Sequence, residues 1–446
     1  MQTEFPAMLA DIRQSLRRHP LMDVSGRLTG VLANRLQTDL PGLAVGEICR
    51  LEPADSDATI LAQVVGLDAQ GSILTPLGAT DGLSPATRVK PLWRPLDAAL
   101  GSGMLGGVFD GLGRPTDGRA FAPSERRSLN PRAVNPLSRP LVDRPAATGI
   151  RAVDGLLTLG IGQRIGVFGS AGTGKTSFVG MLARNFNADV VVLGLIGERG
   201  REIREFLDRQ LPPETRARTV VIAATSDTPA MERVAGAHLA ATVAEYFRDQ
   251  GQHVLLVIDS VTRFARALRE VGLSAGEAAV RRGFPPSVYA ELPRLIERGG
   301  RTEAGSITAV YTVLAEDETG DDPIVEEVQS LADGHIHLSK KLAQSGHYPA
   351  IDVLKSNSRL MSEIVSSGHL AGARRVRELM TKHQEIEFLA QVGEYRQGAD
   401  LLGDTALQSI EAIRAFLRQD AREASPPPTT LRRLADLVAA TRTTDV

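Results

Sequence analysis

Apolar and polar positions along the chain change their period several times. Between residues 5 and 17, Phe5, Met8, Leu9, Ile12 and Leu16 recur at three- and four-residue spacings, with Arg13, Arg17 and Arg18 mostly off that stripe. This pattern predicts a short amphipathic helix, whose apolar face suits its own domain, a partner or a membrane surface. From 24 to 92 the period shortens. β-type runs at Arg27–Leu36, Glu47–Leu51, Thr59–Leu67 and Thr87–Leu92 alternate with turn signals at Pro41-Gly42, Asp81-Gly82 and Ser84-Pro85. Short strands with that punctuation predict a small β-barrel.

From about 93, apolar runs at Arg164–Phe168, Val190–Leu195, Thr219–Ala223, Val254–Ile258, Ser306–Leu314 and His335–Leu338 are separated by helical patterns. Continuous apolar strands between helices predict an α/β core with a parallel sheet covered on both faces. Past about 364 only helical periodicity remains, broken at Ser425-Pro-Pro-Pro-Thr-Thr430 before a last helix led by Leu431, Leu434 and Leu437. The expected division is an N-terminal helix (1–22), a β-barrel (23–92), an α/β core (93–363) and a helical C-terminal domain (364–446), with no internal repeat. In the last domain Leu370, Val376, Leu379 and Phe388 are expected in the core.

Composition narrows the function only a little. A formal charge of −2 over 446 residues argues against a protein that coats nucleic acid. The single cysteine, Cys49, forms no intrachain disulfide and sits in the alternating stretch EICRLE as a buried small hydrophobe. His335 and His337 share a strand face but lack a third metal ligand in the pattern. No signal peptide and no membrane-length apolar stretch is read, so membrane contact is expected to be peripheral.

The chemistry concentrates in the α/β stretch. GSAGTGKT at Gly169–Thr176 matches the phosphate-binding loop GxxxxGK[ST] in full, after the apolar run RIGVF and before a helical pattern. Gly169, Gly172 and Gly174 let the backbone of Ser170, Ala171 and Thr173 curl around phosphate, with Ser177 in the helix that follows. Lys175 is the candidate for the β- and γ-phosphates of ATP, and the Thr176 hydroxyl for Mg²⁺. Asp259 ends the strand VLLVID and is a second candidate for holding Mg²⁺. Glu198 follows the strand VVVLGLI and emerges on the same sheet edge, either as the base that polarises water or as a solvated loop acid.

Around these residues the chain resembles the type III secretion ATPases, a branch of the rotary ATP-synthase catalytic-subunit family. The landmarks are FDGLGRPTDG (109–118), TGIRAVDGLLTLGIGQRIGVFG (148–169), IGERGREIREFL (196–207), IDSVTRFARALRE (258–270), GFPPSVYAELPRLIERGG (283–300) and GHYPAID (346–352). The resemblance implies a RecA-like P-loop ATPase core between an N-terminal β-barrel and a C-terminal helical domain. It implies that Glu198 is the catalytic glutamate, Arg199 a γ-phosphate contact, Arg263 the arginine that orients the glutamate, Tyr348 the aromatic on adenine and Arg359 an arginine finger. Lys355 and Asn357 stand where small or apolar residues are expected, and the run from 316 reads EDETGDD rather than the commoner pattern.

In the rotary synthases the glutamate and the finger lie on different subunit types. Both lie on this one chain, which implies a homo-oligomeric ring, a hexamer. The resemblance further implies an ATP-hydrolysing motor that releases chaperones and feeds or unfolds export substrates. The implied partners are a stator-type regulator at the N-terminus, a central stalk protein, an export gate and chaperone–effector complexes, with no nucleic acid. The implied location is cytoplasmic, peripheral at the inner membrane face. LLTLGIGQRIG and HYPAIDVL lean toward the injectisome branch over a flagellar export ATPase. A rotary catalytic subunit, an RNA-translocating termination helicase and a non-hydrolysing ring subunit are the competing readings.

Overall fold

The computed structural model describes residues 24–442 apart from 57, 132–133, 316–321 and 399. The helix expected over residues 5–17 and nearly all of EDETGDD lie outside the described residues. Six strands close into a barrel in the order β1-β2-β5-β4-β3-β6: β1 (Gly26–Leu32), β2 (Arg35–Thr38), β3 (Glu47–Glu52), β4 (Ile60–Asp68), β5 (Gly71–Pro76) and β6 (Arg88–Pro95). Leu28, Leu36, Cys49, Leu51, Val64, Leu74 and Val89 fill the interior. Burial, with the nearby Glu47, pushes the Cys49 thiol up to about 12, so it stays a neutral hydrophobe.

One barrel expectation changes, and the hydrophobic pattern passes over one strand. The run Arg27–Leu36 is not one strand but a hairpin that turns through Ala33 (φ 47°) and Asn34, with Leu32 opposite Arg35. The turn contains neither Gly nor Pro, so the punctuation rule passes over it. Strand β5 shows no alternation because Ser72, Ile73, Leu74 and Thr75 are all buried.

β7 (Asp97–Leu100) and β9 (Glu125–Ser128) form a small ribbon beside the core. The main sheet comprises β8 (Val108–Phe109), β10 (Arg164–Gly169), β11 (Val190–Ile196), β12 (Thr219–Ala224), β13 (His253–Asp259), β15 (Ser306–Leu314), β16 (Gly334–Leu338) and β17 (Ile351–Ser358). Their order is β17-β16-β10-β15-β13-β11-β12-β8, with β14 (Gly300–Arg301) paired to β15 off the main path. Strands β8 through β16 on that path run parallel, while β17 returns antiparallel to β16 along the edge. The apolar runs follow from burial on both sides. Val190, Val192 and Ile196 pack into one core layer, and Val191, Leu193 and Leu195 into the other. Because the strands are parallel, Gly169, Ile196, Asp259 and Leu314 all finish along one edge.

The layers are completed by α1 (Lys175–Asn185), α2 (Gly200–Gln210), α3 (Ala230–Arg248), α4 (Val261–Ala275), α5 (Pro286–Ile296) and α6 (Pro323–Leu331). Three helices, α7 (Ser367–Gln391), α8 (Leu401–Leu417) and α9 (Pro427–Arg442), form the C-terminal domain. This domain is seated on the core by buried polar contacts. Arg151 donates from Nε to the Phe416 carbonyl at 2.9 Å, and its other nitrogens meet the Arg418 carbonyl and Glu423. Gln419 donates to the Gly149 carbonyl at 2.7 Å, and its amide donates to the Tyr348 carbonyl at 2.9 Å.

Val376 and Leu379 are fully buried and Leu370 partly so, but Phe388 is 70% exposed. The helical stripe runs on past the point where the core ends. Phe388, Leu389, Val392 and Leu401 instead form an exposed apolar tip on the α7–α8 hairpin. Leu379→Ala should therefore cost about 2–5 kcal/mol of stability, as a cavity in a packed site does. Phe388→Ala should stay within about 0.5 kcal/mol of the parent in a denaturant titration, as an exposed substitution does.

Candidate active site

Strand β10 is held between β15 and β16 and delivers the chain to the loop Gly169–Gly174. The loop closes on itself through Thr173, whose hydroxyl donates to the Ser170 carbonyl at 2.8 Å. Gly172 and Gly174 adopt φ of 81° and 84°, a left-handed conformation that side chains resist. At Gly174 a Cβ would also lie 3.3 Å from the Tyr348 ring. Gly174 is the N-cap of α1 and offers no side chain to the first-turn amides. Those amides and the positive end of the helix dipole are open to an anion, which fits a phosphate group.

The lysine and the acids converge next to this loop. Lys175 Nζ lies 3.0 Å from Asp259 Oδ1, with both side chains largely buried. Asp259 ends β13 and is held from β15 by the Thr312 hydroxyl, which donates to it at 2.6 Å. Glu198 follows β11, one strand further on. Thr176, Ser177, Glu198 and Asp259 line one cavity of about 430 Å³. A hydroxyl and two carboxylates form an all-oxygen donor set, which fits Mg²⁺ better than a softer metal.

Glu198 sits in an environment that disfavours its charge. Burial first, and then the Asp259 carboxylate, push its pKa up to about 7, against the opposing pull of Lys175. Arg263 lies nearby. Its stem packs over Gly197 (φ 72°), where a Cβ would come within 2.9 Å, and its buried Nε has no hydrogen-bond partner. That leaves a donor available next to the acid.

The other expected residues lie elsewhere. Tyr348, 45% exposed, faces Gly174 at the mouth of the loop. Arg199 is exposed and 3.7 Å from Glu202, off the cavity wall that Arg201, Glu202, Phe206 and Arg209 of α2 supply instead. These wall residues went unmarked in the sequence, although Arg201, Glu202 and Phe206 lie inside the quoted IGERGREIREFL segment. Thr312 carried no signal beyond its place in an apolar strand.

Arg359 lies at the opposite end of the sheet. It follows Ser358, which pairs with Gly334, whereas the loop-side end of β16 pairs Leu338 with Gly169. The four residue steps from Gly334 to Leu338, about 13 Å at roughly 3.3 Å per residue, separate those levels. The guanidinium is exposed, with Nη2 3.4 Å from the Gln329 carbonyl. Lys355 and Asn357, flagged as unusual, project from the solvent side of edge strand β17, while Val353, Ser356 and Ser358 face inward. Polar residues are ordinary at such outward positions. His335 and His337 pack on Phe168, His337 stacked at 5.2 Å.

Linkage gives Glu198 a thermodynamic signature. A carboxyl whose folded pKa lies above its unfolded value binds more protons when folded, so stability falls as pH rises through that window. For Glu198 the window runs from the ordinary value of 4.5 to about 7. Glu198→Gln should raise the melting temperature of the nucleotide-free protein above the parent at pH 8. The gap should close as pH approaches 4.5, measured by calorimetry across that range.

Residues 149–358 match the ATP synthase alpha/beta family, nucleotide-binding domain, and residues 365–436 match the T3SS EscN ATPase C-terminal domain. A type 3 secretion system ATPase of Xanthomonas euvesicatoria is 48% identical over 438 residues, covering 98% of this chain and 99% of the relative. The assembled ATPase EscN from the enteropathogenic E. coli type III secretion system matches with a TM-score of 0.88 and 42% identity, covering 93% of this chain and 100% of EscN. EscN in complex with its central stalk EscO matches at 0.85 and 41%, with the same coverage. With 48% identity over nearly the whole length, and a barrel, sheet core and C-terminal helices that superpose on EscN, the chain belongs to the type III secretion system ATPases of the ATP synthase alpha/beta family.

Proposed function

We propose that this chain hydrolyses Mg-ATP in a homo-oligomeric ring, a hexamer, that powers a type III protein secretion apparatus. One observation carries the reading: Lys175, Asp259 and Glu198 meet beside the phosphate loop, while Arg359 of the same chain lies at the far end of the sheet. A chain with that layout holds the parts of two half-sites and completes a whole one only against a second copy.

Within a subunit the loop amides and Lys175 hold the β- and γ-phosphates, so Lys175 exchanges its contact with Asp259 for phosphate. Thr176 and Asp259 are the residues to hold Mg²⁺, which when bound neutralises charge on the phosphate oxygens. Tyr348 supplies a flat face for adenine next to Gly174. Glu198, with its pKa near neutrality, accepts a proton from the attacking water, and the Nε of Arg263 is placed to orient it. Arg359 from the neighbouring copy brings positive charge to the γ-phosphate as it transfers. Arg199 reaches phosphate only by turning inward from the exposed lip.

The wider assignment extends the family reading. EscN binds its central stalk EscO, and the exposed apolar tip of Phe388, Leu389, Val392 and Leu401 is a surface of this chain suited to such a stalk. The C-terminal domain faces the export gate and receives chaperone–effector complexes, from which the motor releases chaperones and feeds or unfolds substrates. Residues 1–20 meet a stator-type regulator and anionic lipid, which sets the ring on the cytoplasmic face of the inner membrane. No described helix is long and apolar enough to cross a membrane.

Lys175→Ala should abolish phosphate release and weaken ATP binding. Glu198→Gln should nearly abolish release yet retain ATP, as read by equilibrium binding of a fluorescent analogue; near-normal turnover would mean that another group activates water. Arg359→Ala should lose on the order of 10³-fold or more in kcat even when assembled. Specific activity of the parent should climb steeply with protein concentration, and mixing Arg359→Ala with Glu198→Gln should restore part of it. Flat specific activity from dilute subunit to ring, with an active Arg359→Ala, would sink the shared-site reading.

A further inference from the structure

Gln163 is fully buried immediately before β10, at the end of the sheet away from the nucleotide. Its carboxamide uses both ends. Oε1 accepts from the Gly160 amide at 2.7 Å, and Nε2 donates to the Asp333 carbonyl and to Ser358 Oγ, each at 3.1 Å. Ser358 passes the bond on, its hydroxyl donating to the Thr158 carbonyl at 2.8 Å. The Asp333 carbonyl also accepts the backbone amide of Arg359, at 3.1 Å. One side chain thus grips the residue before Arg359 and the carbonyl that holds Arg359 itself. The next residue, Arg164, clamps the Asp333 carboxylate through Nε and Nη2 at 3.0 and 2.9 Å, so Asp333 cannot drift.

Strand pairing alone would hold this point loosely. β17 is the edge strand and, among the described residues, pairs with β16 alone, and its register is irregular between His335 and His337. Beyond that break only Asn357 and Ser358 stay paired, opposite His335 and Gly334. A strand end with one neighbour and an interrupted ladder frays. We infer that Gln163 is a positioning residue for Arg359: it fixes the backbone from which the arginine leaves the subunit, and so the place at which the guanidinium arrives on a neighbouring copy. The inference rests on the proposed action of Arg359 in trans. Gln163 lies too far from Lys175 to touch nucleotide, so its effect on turnover runs through the arginine.

The mixing behaviour of full-length rings tests this. Gln163→Met keeps length and removes the donors and acceptor; Ser358→Ala removes one partner and leaves Gln163, and it decides the matter if Gln163→Met does not fold. Each variant should bind a fluorescent ATP analogue like the parent and keep its KM. Each should lose about 10–100-fold in kcat, the scale expected when a reacting group is misplaced by about 1 Å. Mixing either with Glu198→Gln should restore activity, because some interfaces then pair an intact acid with a well-held arginine. Mixing either with Arg359→Ala should restore none, because every copy then carries a faulty arginine side. An inactive Arg359→Ala ring beside folded Gln163→Met or Ser358→Ala rings with full kcat overturns this inference alone, as does restoration by Arg359→Ala. An active Arg359→Ala ring overturns the trans reading beneath it.

Discussion

The nucleotide site depends on the fixed height at which β10 ends inside a parallel sheet. Hydrogen-bonded ladders on both sides leave that strand no freedom to slide, and a slip of one residue would turn Phe168 and Val167 onto each other's faces. The same ladders carry the setting outward, from β10 to β15, to β13 with Asp259, and to β11 before Glu198. Lys175 and two carboxylates from different parts of the chain therefore meet because their strands are locked in register. Hydrophobic packing sets this geometry indirectly, since Val191, Leu193, Val257 and Val310 hold the register from within the core.

The fold then keeps this cluster partly out of water, at an electrostatic cost. Glu198 is pushed toward protonation, and Lys175 lies 3.0 Å from Asp259. Such an arrangement is poor for stability and good for binding. On the proposed reading, an anion at the loop and a cation at the oxygens would relieve that tension. The C-terminal domain touches the same region through Gln419, whose amide holds the Tyr348 carbonyl. The helical domain and the mouth of the loop are thus mechanically joined.

The phosphate loop, its preceding strand and the acids after β11 and β13 were legible in the sequence because each has a local cause: glycines that permit left-handed backbone, or an acid ending an apolar run. The three-part architecture was legible for the same reason, as changes of hydrophobic period. What escaped lacks a local cause. β5 is buried on both faces and shows no alternation, the hairpin at Ala33-Asn34 turns without glycine, and Phe388 continues a helical stripe after its core has ended. The outward orientation of Lys355 and Asn357 became visible only once β17 proved to be an edge strand. Gln163 was quoted within a family landmark and given no role. Gly160 is three residues away, but the partners Asp333 and Ser358 are distant in sequence, and only the folded sheet brings them to Gln163.

The separation of Arg359 from Lys175 also has a consequence for symmetry. A ring in which two kinds of subunit divide the acid and the arginine must alternate them and so contains an even number of places. On the proposed trans reading, a chain that carries the acid at one end of its sheet and the arginine at the other would assemble head-to-tail, with every contact between copies of one kind. Parity then imposes nothing. With the arginine acting in trans as proposed, the number of copies that closes the circle would be set by the angle between those two ends, and each junction in the circle would be a complete site.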